Sequence, residues 1–179
     1  MAGSLEFITS ASGTSVNTLS VTDCFSADYD VYYVSLTKVD TSADGSVYIQ
    51  TVDSGGANTG SNYDMAGLYM KAFASFAESK LTNHTAWGNN INFTILAGGN
   101  SAYDMGVGFY VFNPYDSSSY TFIQGQQSGT VPSGKYGIKH IGVYKVAEQI
   151  TGLKFGNVSG AVTFNNITVN VYGVKWYGR

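Results

Sequence analysis

The chain has 179 residues, of which 12 % are charged and 15 % aromatic, with a formal net charge of −3. That length fits one domain, residues 1–179, able to bury a core without staples. The aromatic content excludes a disordered chain, and the nine scattered Lys and Arg exclude the cation clusters that nucleic acid or an acidic membrane surface requires. The opening "MAGSLEFITS" lacks the charged and apolar regions of a signal peptide. No apolar run approaches the roughly 20 residues of a membrane helix, so a cytoplasmically made chain is expected.

Period-2 alternation dominates from the start. Leu5–Thr9 and Ser15–Val21 are the first two expected strands. "VYYVSLTKV" (31–39) places Tyr32, Val34 and Leu36 on one face. "SVYIQTV" (46–52) does the same with Val47, Ile49 and Thr51. Between them "ADG" (43–45) predicts a hairpin. The run "DTSADG" (40–45) has the opening rhythm of a calcium loop, but position twelve is Thr51 rather than Glu, so the turn is preferred.

"DSGGANTGSN" (53–62) predicts a long Gly-rich loop. "MAGLYMKAFASFAES" (65–79) carries both helical and alternating spacing; strand is favoured because its flanks are β and Gly67 weakens a helix. Further along, Ile91, Phe93 and Ile95 are expected inward, as are Val107, Phe109 and Val111. Ser119–Gln126, Ile138–Val146, Ile150–Phe155, Ala161–Phe164 and the terminal stretch complete the strands. In that last stretch Ile167, Val169 and Val171 face one way, and Tyr172, Val174 and Trp176 the other. A solvated edge strand normally carries charge or Pro; this one reads as a strand that is covered.

Many short strands with Gly-rich turns predict an all-β, antiparallel β-sandwich of jelly-roll type with at most one short helix. No repeat or linker divides it.

Little in the chain points to chemistry. The single cysteine, Cys24, reads as a small buried hydrophobe. His84 and His140 stand apart, and no His or Cys spacing suits a metal. Nucleophile elbow, P-loop and dinucleotide signatures are missing, so no enzyme, cofactor or metal is expected. Aromatic residues beside small polar ones in predicted loops form the remaining constellation: Trp87 in "HTAWGNN", Tyr63 in "GSNYDM" and Tyr115 in "NPYDSSSY". Such rings can stack on a sugar; they can equally cap the open ends of a sandwich.

The stretches "FSADYDVYYVSLTKV", "DSGGANTGSNYDMAGLYM" and "ITGLKFGNVSGAVTFNNITVNVYGVKW" resemble β-rich virion proteins of tailed bacteriophages. The matching positions are Asp28–Tyr33, Asn62–Gly67 and the terminal Tyr172, Gly173 and Val174. This chain has "YDVY" where such proteins favour "YDNY". The resemblance implies a jelly-roll sandwich, commonly a homotrimer, serving as a capsid decoration (cement) protein, a head fibre or a tail-fibre module. It carries over no catalytic residue. A fibre shaft needs repeats or heptads, which are not found, so decoration of the assembled shell is the leading expectation.

On that reading the partners are copies of the chain and the major capsid protein or another virion protein, with no nucleic acid and no membrane. The place is the outer surface of the virion, and Tyr172, Val174 and Trp176 are the interface candidates. The alternative is a tail-fibre, baseplate or carbohydrate-binding module for host attachment, resting on Trp87, Tyr63 and Tyr115.

Overall fold

The computed structural model describes residues 4–43, 45–88, 95–97, 106–131 and 134–175. Among them there is no helix. The strands in chain order are β1 (Ser4–Val16), β2 (Thr18–Val21), β3 (Val31–Thr41), β4 (Gly45–Asp53), β5 (Gly56–Ala57) and β6 (Tyr63–Lys71). They continue as β7 (Ala77–His84), β8 (Ile95–Ala97), β9 (Gly106–Phe112), β10 (Thr121–Val131), β11 (Gly134–Tyr144), β12 (Gly152–Asn157) and β13 (Phe164–Lys175).

Two antiparallel sheets stack into a sandwich. The larger has eight strands in the order β1-β13-β3-β9-β10-β11-β6-β7; the smaller has five, β2-β12-β4-β5 with β8 also on β4. Alternation decides which side chains go between the sheets. From the larger sheet come Tyr32, Val34, Phe109, Val111, Val169 and Val171, each 0 % exposed. From the smaller come Val47, Leu153 and Phe155, also 0 % exposed. Both sets belong to one apolar cluster. Cys24 lies in it, its thiol pushed up to about 12 by burial, so at neutral pH it is protonated and inert.

The inward faces expected for 31–39, 46–52, 107–111 and 167–171 are those observed. The ambiguous stretch 65–79 is extended, as favoured, but folds back on itself: β6 and β7 pair across residues 72–76.

Other expectations are corrected. The link at 43–45 makes no hairpin, because β3 pairs with β9 and β13 while β4 pairs with β12, β5 and β8. A short polar link looks alike in sequence whether the chain doubles back or crosses between sheets. Ala161–Phe164 forms no strand of its own; its last residue opens β13. The strand expected at Ile150 begins at Gly152. The first two strands divide later than expected: β1 runs through Val16, and β2 begins at Thr18 in the other sheet. Ile91 and Phe93 lie outside the described residues.

The terminal strand is covered by its own sheet. β13 sits between β1 and β3 and is hydrogen-bonded on both sides.

One backbone approach limits substitution sharply. A Cβ on Gly125 of β10 would lie 2.3 Å from the Phe109 Cβ, 2.5 Å from the Gly108 carbonyl oxygen and 2.7 Å from the Phe109 Cα. None of these atoms can swing away. We expect Gly125→Ala to cost about 2–3 kcal/mol, the upper part of the overpacking range, read as a lower midpoint in urea unfolding.

Candidate functional site

The aromatic trio expected at a loop patch does not form one. Trp87 is 0 % exposed. Its backbone exchanges two hydrogen bonds with Ile49 of β4, each 2.9 Å. Its indole Nε1 donates to the Val143 carbonyl of β11 at 3.2 Å. The residue therefore bridges the two sheets. A Cβ on Gly142 would stand 2.9 Å from the indole ring, so that glycine leaves the space Trp87 occupies.

Tyr63 is also 0 % exposed. Its ring stands edge-on to Trp87 at 5.2 Å. Its hydroxyl accepts from the Thr51 amide (3.0 Å) and donates to the Asn58 carbonyl (2.9 Å). Burial pushes that phenol up to about 12. Neither ring offers a face to a ligand. Tyr115 is half-buried in the turn between β9 and β10. Polar neighbours in sequence disguised Trp87 and Tyr63, because those neighbours belong to turns that carry the rings under the sheet.

Of the interface candidates, Tyr172 and Val174 are half-buried on the outer face of the larger sheet. Trp176 lies outside the described residues. Tyr172 meets Phe7 of β1 edge-on at 5.7 Å, and Val174 is paired with Leu5. Leu5 and Phe7 are 52 % and 57 % exposed.

That outer face is curved. One open trough of about 1710 Å³ is lined from Leu5 on β1 to Glu78 on β7, the full width of the sheet, which requires it to be concave. Two registered rows cross this outer face; Phe7, Tyr172 and Asn170, at their β1 end, stand outside the lining of the trough. The first runs Phe7, Tyr172, Tyr33, Tyr110, Gln124, Ile141, Ala66 on successive strands. Its rings follow one another closely: Tyr172 to Tyr33 is 6.3 Å and Tyr33 to Tyr110 is 5.2 Å between centroids. The second runs Asn170, Ser35, Gly108, Gln126, Lys139, Leu68, Glu78. Strands lie about 4.8 Å apart, so an aromatic ribbon is flanked along its length by hydroxyl and amide groups.

Glycine shapes the floor between the rows. A Cβ on Gly108 would fall 2.3 Å from the Tyr33 hydroxyl, so the phenol of Tyr33 leans across the neighbouring strand where a side chain is missing. At the far side Lys145 clamps the end of the face. Its Nζ donates to Asp64 Oδ1 (2.8 Å) and Asn83 Oδ1 (2.6 Å). The hydrogen bond from Lys145, and then that from the Asn83 amide, hold the Asp64 carboxyl below the usual range. Both partners are near 30 % exposed, at 29 % and 31 %, so the pair contributes under about 1 kcal/mol.

Among the lining residues only Glu78 and Lys139 are charged. Among the described residues, no three His, Cys, Asp or Glu side chains gather as a metal site would need. The trough can stack, hydrogen-bond and exclude water; it presents no nucleophile–base pair. The composition of the loops does not reveal it. The available signal was the outward set on the strands: Tyr33, Tyr110, Tyr172, Gln124 and Gln126 occupy positions where a solvated sheet face usually carries Lys, Glu or Thr. No protein-family model matches the chain, and no curated protein sequence matches it.

Proposed function

We propose that this chain is a structural protein of a tailed-phage virion, of the capsid-decoration type, which works by adhering to other subunits. The observation that supports this most is the place of β1 at the edge of its sheet among the described residues. The strand is 13 residues long and lies at the edge of the larger sheet. Its one charged residue, Glu6, is already paired with Lys175 at 3.0 Å. It carries no Pro; a bulge at Ile8 and a left-handed backbone at Ser15 (φ 55°), near its end, are its irregularities. Leu5 and Phe7 stand exposed beside it.

Long uncharged edges template pairing with another chain, and proteins that stay single blunt them. The other edges follow that rule. β7 carries Glu78 and Lys80, and the edge strands β2 and β5 of the smaller sheet span only 4 and 2 residues. On this reading β1, with Leu5, Phe7, Tyr172 and Val174, is covered by a copy of the chain in a trimer or by a shell protein. Each contact adds binding free energy to the assembled state alone.

Sedimentation of the purified protein, with and without particles lacking it, tests this. The wild-type chain is expected to sediment as an oligomer and to co-sediment with particles. Leu5→Lys/Phe7→Lys, which adds two cations at exposed positions, is expected to stay folded, sediment as a monomer and no longer co-sediment. A wild-type chain that is monomeric and indifferent to particles overturns the proposal.

A further inference from the structure

We propose that the centre of the concave face is a binding site for a neutral oligosaccharide, with pyranose rings lying on Tyr33 and Tyr110 and hydroxyls bonded by Gln124 and Gln126. This goes beyond the assembly role and does not use the β1 edge, so either can hold without the other.

The argument starts from what is exposed. Tyr110 is 43 % exposed and Phe122, on the next strand, is 43 % exposed. Side chains of that size left open on a strand face mark a contact surface. What lies beside them selects the ligand. Gln124 is the cross-strand partner of Tyr110, and Gln126 that of Gly108; both amides are exposed. A carboxamide offers an acceptor and two donors at once. Sugar hydroxyls, which both donate and accept, satisfy that set; an aliphatic protein surface would leave it unpaired at a cost of about 1–3 kcal/mol per group. The C–H face of a pyranose matches the ring faces in the same step.

Charge and shape narrow the occupant further. Glu78 and Lys139 are the charged members of the lining and have opposite signs, so the trough attracts neither a polyanion nor a polycation. An uncharged chain is the complement. A second copy fits poorly, because two concave faces brought together enclose a void instead of packing. An extended peptide finds no free ladder there, since every strand from β13 to β6 is paired on both sides and peptide addition needs an edge. Length fits as well. From Tyr33 through Tyr110, Gln124 and Ile141 to Ala66 the lining spans five strands in register, a floor for several sugar units in a row.

The test is an array of neutral oligosaccharides (glucans, galactans, mannans) together with uronic and sulfated ones, followed by calorimetry on whichever neutral compound binds. We expect binding to a neutral member. Tyr110→Ala is expected to weaken it about tenfold, the loss of one ring contact, and Gln124→Ala about three- to tenfold. Phe76→Ala, which removes a ring 66 % exposed outside the trough, is expected to leave it unchanged. Circular dichroism of each variant keeps loss of fold apart from loss of contact. No neutral glycan bound at millimolar concentration, binding confined to acidic glycans, or binding untouched by both trough variants in folded form overturns the proposal.

Discussion

Trp87→Ala is expected to lower the unfolding free energy by about 3–5 kcal/mol, the range for emptying a buried indole, with a matching fall in the urea midpoint. Three losses combine. The ring is 0 % exposed, so its whole apolar surface leaves the interior. The Val143 carbonyl on β11 loses the 3.2 Å bond from Nε1. Tyr63, edge-on at 5.2 Å, loses its ring partner while its hydroxyl stays fixed to Thr51 and Asn58, so it cannot follow the collapse. Gly142 widens the gap, having no side chain to fill it. The measurement separates two roles for this residue. An exposed sugar-stacking tryptophan would change stability by less than about 0.5 kcal/mol on truncation; a residue joining two sheets costs several times that.

Acid is expected to weaken the fold through His140 before most carboxylates titrate. The imidazole is buried on β11, with Phe109 at 6.4 Å. Desolvation lowers its pKa from 6.5 to about 4, since a charged ring would lose its water without gaining a partner. The unfolded chain therefore takes up this proton first. Stability from the neutral ring is complete above about pH 6.5 and is lost as the pH falls towards 4. The slope is about 1.4 kcal/mol per pH unit and the total about 3 kcal/mol. Urea titrations at half-unit steps from pH 7.5 to 4.5 give the wild-type slope. In His140→Gln that slope is expected to flatten. Wild-type stability that is level across the window excludes this account. Asp64, whose carboxyl sits below its usual range, adds its own loss only at lower pH.

The strands and their inward faces were legible because alternation is a local property. Tyr32, Val34 and Leu36, or Val107, Phe109 and Val111, announce a buried face within a few residues. Sheet assignment was not legible. Nothing in the link at 43–45 says that β3 and β4 belong to opposite layers, because that choice is made by distant partners such as β13 and β12. Loop aromatics misled for a related reason. Trp87 follows "NHTA" and precedes "GNN", a polar context that describes the turn and not the destination of the ring. The trough was half legible. Its tyrosines and glutamines could be read as outward by parity, yet their alignment into one ribbon depends on register among strands far apart in sequence.

The position of β13 also bears on how the molecule comes into being. Residues near 5 pair with residues near 174, and that last strand is flanked by β1 on one side and β3 on the other. During synthesis β1 therefore waits without its neighbour until residues near 174 have left the ribosome. Closure of so long a loop is slow, and an unpaired strand carrying Leu5, Phe7 and Ile8 that is held open that long invites chaperones or premature association. The segment that the proposed adhesion would use is thus also one that stays unpaired while the protein is being made.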